Sequence, residues 1–212
     1  MRLPKRSVTG VVGLLSRFES LNTWDRRHPF VDLIDIDAED TRNVDTRYFF
    51  EKKQIDAEAF ALACKLVRML IANGRKVVIR PHPNEFKNAY QILEKKFGPN
   101  LVIDSSKDIC EFLAQVDVIV GPVSSAYTEA YIGGIPIVSL HRIQRYHYKD
   151  KEIYESLDRL SEGAYLPGSI AEAVSLCLKS DIQAKCAPEL DAYLDEFYSL
   201  TKNPDPVSVV AR

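Results

Sequence analysis

No run in this chain approaches the roughly 18 consecutive apolar residues of a membrane-spanning helix. There is also no surplus of positive charge: 28 Lys and Arg against 30 Asp and Glu leave a formal net charge of -2. The first absence argues against a transmembrane protein. The second argues against a general nucleic-acid binder, which is usually strongly basic. Any capacity to bind an anion must therefore be a local arrangement. Cysteine is sparse, and Cys64, Cys110, Cys177 and Cys186 sit in otherwise helical patterns without C-x-x-C spacing. That spacing argues against a zinc site and a disulfide framework, and it fits ordinary thiols in a reducing cytoplasm. Asp25, Asp32, Asp35 and Asp37 are scattered rather than spaced as a metal cage, so no divalent ion is expected. The basic start Met1–Arg6 is followed by Val8–Leu15, which Gly10 and Gly13 interrupt and which lacks a small-residue cleavage signal, so no secretory leader is expected. Repeats and low-complexity tracts are missing too.

What is present is 212 residues, 46% of them hydrophobic, enough for one full domain over residues 1–200 with a loose tail over 201–212. Short apolar strands are predicted at Val8–Leu15, Lys76–Ile79, Leu101–Ile103, Val116–Val120 and Ile135–Leu140. Between them lie helical patterns at Ile55–Ala72, Glu85–Phe97, Lys107–Gln115 and Ser124–Ile132, the third capped by Asp104-Ser105-Ser106. Helices at Glu152–Leu160, Ser169–Leu178 and Pro188–Leu200, and a short edge strand at Ala164–Leu166, complete the domain. Strand and helix alternating in this way signify an α/β protein built on a doubly wound parallel sheet. Residues 18–46 show no sustained period, and a loop of that length is a candidate substrate-facing segment.

Two segments carry chemistry. In Val77-Val78-Ile79-Arg80-Pro81-His82-Pro83 a buried strand ends on two prolines, each of which removes a backbone donor and fixes φ. Arg80 and His82 are thereby held on a stiff turn at a strand's carboxyl end, where open α/β sheets bind ligands. The guanidinium is a fork of donors suited to phosphate or carboxylate, and the imidazole can act as an acid near neutrality. The alternative is that Arg80 pairs with a carboxylate such as Glu85 while His82 caps the turn. In Gly121-Pro122-Val123-Ser124-Ser125-Ala126 a strand turns into a helix, bringing free amides, a helix amino terminus and two hydroxyls to one point. Glu129 lies four residues past Ser125 on the same helix face, where a carboxylate can accept from ribose hydroxyls. Asn22 after the first strand, and His141 and Arg142 after the last, are further candidate substrate contacts. The basic aromatic stretch Arg145–Lys149 reads as a partly packed connector.

The ordered set R-P-H-P-N-E (Arg80–Glu85), D-x-I-V-G-P-V-S-S-A-Y-T-E-A (Asp117–Ala130) and G-G-I-P-I-V-S-L (Gly133–Leu140) resembles the carboxyl-terminal half of GT-B glycosyltransferases. It is similar to bacterial surface carbohydrate biosynthesis proteins and to CMP-sugar-dependent transferases for sialic-acid-like and Kdo-like sugars. The resemblance implies a single Rossmann-like domain that binds a nucleotide sugar as substrate, with no separate cofactor. His82 would be catalytic, Arg80, Ser124 and Ser125 would hold the donor phosphate, and Glu129 would face the ribose or sugar. It further implies a glycan or lipid-linked acceptor and a cytoplasmic site of action, peripheral at the inner membrane face. GT-B enzymes carry acceptor and base on a second domain. Here that half would lie on a partner chain, or the chain is truncated, or it binds nucleotide without turnover. Glycerophosphate polymer transferases share a similar R-x-H-P and serine pair, and nucleotide-sugar epimerases share the fold.

Overall fold

Strands Val11–Leu15 (β1), Lys76–Arg80 (β2), Leu101–Ile103 (β3), Val118–Gly121 (β4) and Ile137–Ser139 (β5) are apolar on both sides, as strands covered by helices on both faces must be. The computed structural model describes residues 9–22 and 44–198; Val8, most of the 18–46 loop and the 201–212 tail lie outside the described residues. All strand pairings are parallel and the sheet order is β3-β2-β1-β4-β5, so the chain is an α/β protein with a Rossmann-like sheet. Helices follow as Val44–Ala72 (α1), Gln91–Phe97 (α2), Ile109–Leu113 (α3), Ala126–Ile132 (α4), Lys151–Leu160 (α5), Ile170–Leu178 (α6) and Pro188–Tyr198 (α7). Among the described residues, no helix is long and apolar enough to cross a membrane.

Alternation along the strands sorts the core into two layers. Val12, Leu14, Val77, Ile79, Val118 and Val120 face Ala59, Ala63, Leu66 and Leu70 of α1 and Ala173, Val174 and Cys177 of α6. Leu15, Val78, Ile119 and Ile137 face Phe112 and Leu113 of α3 and Tyr127 and Ala130 of α4. Burial pushes the Cys177 thiol up to about 12, which makes it an inert core group. Gly74 ends α1 at φ 76°, the left-handed position that glycine takes at no steric cost.

Several boundaries differ from the sequence expectation, each for a local reason. The first helix begins at Val44 rather than Ile55, because its amino half packs against a distant connector instead of the sheet. Glu85 does not open a helix. It turns inward as a buried hydrogen-bond acceptor, and a 3-10 turn at Lys87–Tyr90 precedes α2. The cap of α3 is Asp108, whose carboxylate accepts from the Glu111 amide at 2.8 Å, since Asp104 is engaged by Arg80 and Ser106. At Ala164–Leu166 there is a single bridge, Tyr165 to Val138, because Pro167 lacks the donor needed to extend it. Strands β4 and β5 start at Val118 and Ile137, two residues inside the apolar runs.

Helix α1 has a consequence for the site. Its sheet-facing residues run from Ala59 to Leu70, so the half before Ala59 projects past the carboxyl edge of the sheet. The connector after β5 docks there: the Arg145 and Tyr146 amides donate to Glu58 at 2.7 and 3.0 Å, and the Lys149 amide donates to Glu51 at 3.3 Å. Tyr148 stacks on Tyr48 at 5.7 Å.

Candidate functional site

In this strand order the winding reverses between β1 and β4, and a crevice opens at their carboxyl ends. Gly121 closes β4 there. A Cβ at that position would lie 2.5 Å from the Leu15 carbonyl oxygen, so glycine alone permits the approach of the two strand ends. The loop after β1 is tied across the crevice by Arg17, whose Nη1 donates to the Val123 carbonyl at 2.8 Å.

Ser124 and Ser125 lead directly into α4. Ser124 is buried, and its hydroxyl accepts from the Ala126 amide at 3.3 Å. Ser125 is exposed, and its hydroxyl has no partner among the described residues. The carbonyls of both serines accept the first helical amides, Tyr127 at 3.0 Å and Thr128 at 2.9 Å. Glu129 lies one turn on and is only half-buried, yet its Oε2 is enclosed and unpartnered among the described residues. Burial raises its carboxyl pKa above the ordinary value, opposed by the charge of Arg80. Arg80 and Glu129 thus share the sheet face covered by α3 and α4.

Arg80 is held by a carboxylate, though not by Glu85. Its Nη1 pairs with Asp104 at the end of β3 and with the Ser106 hydroxyl at 2.8 Å, and the guanidinium lies 5.7 Å from the Phe112 ring. Glu85 organises the neighbouring loops instead. It accepts from the Ser16 hydroxyl, the Phe18 amide at 2.5 Å, the His82 amide at 2.8 Å and the Tyr90 hydroxyl at 2.9 Å. Burial raises its pKa, and those donors pull it back. The main chain of His82 is therefore fixed from below while its imidazole stays partly exposed, with Nδ1 3.1 Å from Glu19 Oε2. Its Nε2 has no partner among the described residues.

His82 and the serine pair lie at the same sheet edge but do not touch. Strands β2 and β4 flank β1, a separation of about 10 Å at ordinary strand spacing. The β1 loop fills the interval: Glu19 meets His82 on one side and Arg17 meets Val123 on the other. One small anion does not span that gap.

The remaining candidates are engaged elsewhere. Asn22 donates through Nδ2 to the Phe86 carbonyl at 3.1 Å and accepts the Phe86 amide at 3.2 Å, so its amide ties two loops. With Phe18, Leu21, Phe60 and Tyr90 it lines a cavity of about 240 Å³. His141 is 5% exposed and Nε2 is enclosed without a partner among the described residues. Burial, then the nearby His147, hold it below the ordinary histidine range. Its ring meets those of His147 and Tyr154 at 4.9 and 5.4 Å beside a partly open cleft of about 30 Å³. Arg142 points to solvent.

Comparison with known protein families, curated proteins and solved structures finds no match. The site is accordingly described by its own residues alone.

Reasoning from sequence missed Ser16, Arg17 and Lys52 as members of the site, whereas Glu19 lies in the Phe18–Asn22 segment that the first strand delivers toward the donor or acceptor. Ser16-Arg17 directly follows the first strand, a place from which side chains reach the crevice, and that position was the available signal. Lys52 and Asp56 are an i, i+4 pair on a helix, which signals local pairing but not that both reach the β1 loop. Lys52 Nζ lies 2.8 Å from Glu19 Oε1, and Asp56 accepts the Ser20 amide at 3.0 Å.

Proposed function

We propose that this chain is the donor-binding half of a glycosyltransferase that moves a sugar from a nucleotide sugar to a glycan or lipid-linked acceptor. The observation that carries the reading is the strand order, which brings the R-P-H-P and G-P-V-S-S turns to one edge on either side of β1. Each turn offers an unengaged group, the His82 Nε2 and the Ser125 hydroxyl. A span of about 10 Å suits an extended nucleotide better than a lone phosphate. In this reading the serine turn binds the far end of the donor, about 10 Å from the phosphate that His82 meets. His82 stabilises or protonates the leaving nucleotide phosphate as the glycosidic bond breaks, an electrostatic contribution in a preorganised site. Arg80, paired with Asp104, tunes the field at Glu129 and sets the turn. The base that activates the acceptor hydroxyl belongs to a second α/β unit outside these residues. Nucleotide binding without turnover is the second reading, favoured by the single sheet among the described residues.

Thermal-shift titration against CMP, CDP, UDP and GDP tests the proposal, because a ligand bound only by the folded state raises the midpoint. At one hundred times Kd the gain is about 2.7 kcal/mol, or roughly 5–10 °C for a chain of this size. His82→Ala and Ser125→Ala should abolish the shift; the exposed Ser125 should leave the unliganded midpoint within about 2 °C, whereas His82→Ala also strips the enclosed Glu19 carboxylate of its ion-pair partner and should lower it further. A protein whose midpoint ignores all four nucleotides does not bind the proposed donors. Release of free nucleotide from a sugar nucleotide then separates turnover from binding.

A further inference from the structure

His82 Nδ1 faces two groups with opposite demands. The Asn84 amide nitrogen lies 3.2 Å away and needs an acceptor, while Glu19 Oε2 lies 3.1 Å away and needs a donor. One proton on Nδ1 satisfies only the second. Asn84 is exposed, so water can take its N–H. Glu19 Oε2 is enclosed and makes no hydrogen bond to any described residue, and its 3.1 Å contact with Nδ1 is an ion-pair distance. The other carboxylate oxygen, Oε1, is held at 2.8 Å by Lys52 Nζ, projecting from the overhanging half of α1. Burial would raise the Glu19 pKa, but Lys52 with the charges of His82 and Arg17 holds it below the ordinary value, so the group is ionised. A charge-assisted bond is roughly twice as strong as a neutral one. An orphaned buried acceptor carries a desolvation penalty that an exposed amide does not. Both arguments place the proton between Nδ1 and Glu19.

We propose that Glu19 is the positioning residue for His82: it holds a proton on Nδ1 and leaves Nε2 as the nitrogen presented to an anionic ligand in the crevice. The half concerning the ligand rests on the donor-binding reading above; the half concerning the tautomer stands on the contacts alone. Neutral His82 then offers a lone pair at Nε2, and protonation turns the same atom into a donor. The chain Lys52–Glu19–His82 makes α1 the support of the arrangement, so a helix whose other half packs on the sheet fixes the ring at the edge.

The full chain labelled with nitrogen-15 at histidine tests this by long-range proton–nitrogen correlation in alkaline buffer. His82→Gln identifies the His82 signals. In the unsubstituted protein Nδ1 should give the protonated-type resonance and Nε2 the lone-pair type. In Glu19→Gln, Lys52 retains the amide oxygen and the NH2 group turns toward Nδ1, so the two resonances should exchange types. Repeated in acidic buffer with the ring protonated, so that Nε2 is a donor, adding inorganic phosphate should move the Nε2 resonance and leave Nδ1 nearly still. A proton found on Nε2 of the unsubstituted protein overturns the proposal, and that measurement needs no variant to fold. An unchanged tautomer in Glu19→Gln overturns the role of Glu19, since a merely structural residue would lower the melting temperature without inverting the ring. An Nε2 resonance indifferent to phosphate overturns the presentation of that atom to an anion. Nucleotides that fail to shift the melting midpoint while the tautomer is as stated count against the donor-binding reading alone.

Discussion

Replacing Glu85 removes the acceptor on which the ends of β1 and β2 converge, and the two simplest substitutions should differ by a calculable amount. Three donors meet Oε2, namely the Ser16 hydroxyl, the His82 amide and the Tyr90 hydroxyl; the Phe18 amide alone meets Oε1. In Glu85→Gln the amide oxygen takes the place of Oε2 and the NH2 group confronts the Phe18 amide, orphaning one donor at a cost of about 1–3 kcal/mol. In Glu85→Ala the Phe18 amide and the Tyr90 hydroxyl both lose their acceptor. Ser16 retains the Arg80 carbonyl at 3.1 Å, and the His82 amide retains the Ser16 hydroxyl at 2.9 Å. Two orphans and a vacated space put the loss at about 3–6 kcal/mol, a large share of the 5–15 kcal/mol that holds a domain folded. With a urea slope of about 2 kcal/mol/M, the midpoints should fall by about 0.5–1.5 M for Gln and 1.5–3 M for Ala. The pH dependence gives a sharper test. Burial raises the folded-state pKa of Glu85 despite its donors. Its contribution is therefore fully present below the unfolded value of about 4.3 and is lost as pH rises through the folded value. The advantage of the unsubstituted protein over Glu85→Gln, read from urea midpoints between about pH 4 and pH 8, should shrink on going up. An advantage that grows with pH would falsify the reasoning and mean that the four donors outweigh burial.

Two further outcomes are expected. His141→Phe keeps the ring and removes an enclosed nitrogen that has no partner among the described residues. Because the folded-state pKa of His141 is depressed, its contribution is present above about 6.5 and lost as pH falls through the folded value. Scanning fluorimetry should therefore show Phe gaining on the unsubstituted protein as pH is lowered, and a gap that closes instead would refute the assignment. Gly121→Ala drives a methyl to within 2.5 Å of the Leu15 carbonyl. That crowding costs about 1–3 kcal/mol and should lower the melting temperature by about 2–12 °C, and an unchanged midpoint would mean that β1 and β4 part easily.

The core of the fold was legible because its punctuation is local. Leu101–Ile103 is found where expected, since Gly98-Pro99 stops the helix before it and Asp104, taken up by Arg80 and Ser106, ends the strand. Asn73-Gly74 and Gly133-Gly134 likewise mark true helix ends. What escaped depends on partners far along the chain. The early start of α1 answers to a connector nearly one hundred positions later, and no period in Val44–Gln54 announces it. Arg80 finds Asp104 on the adjacent strand rather than Glu85 on its own loop, a choice made by strand neighbours that sequence does not order. His82 was singled out by its prolines, but Glu19 was not singled out as its partner, because the loop carrying Glu19 reaches β2 only once β1 lies beside it.

The mismatch between a 29-residue helix and a first strand of five residues leaves much of the helix with no sheet to rest on. Helix α1 is about 43 Å long, whereas the strands beneath it extend about 17 Å. The stretch from Ala59 onward is held by the sheet and by α6, and the stretch before it by Glu51 and Glu58 accepting from residues 145–149. The rim that carries Lys52 is thus secured by a handful of polar contacts rather than by the core, so a change in the connector after β5 would reach Glu19 and His82 without crossing the sheet.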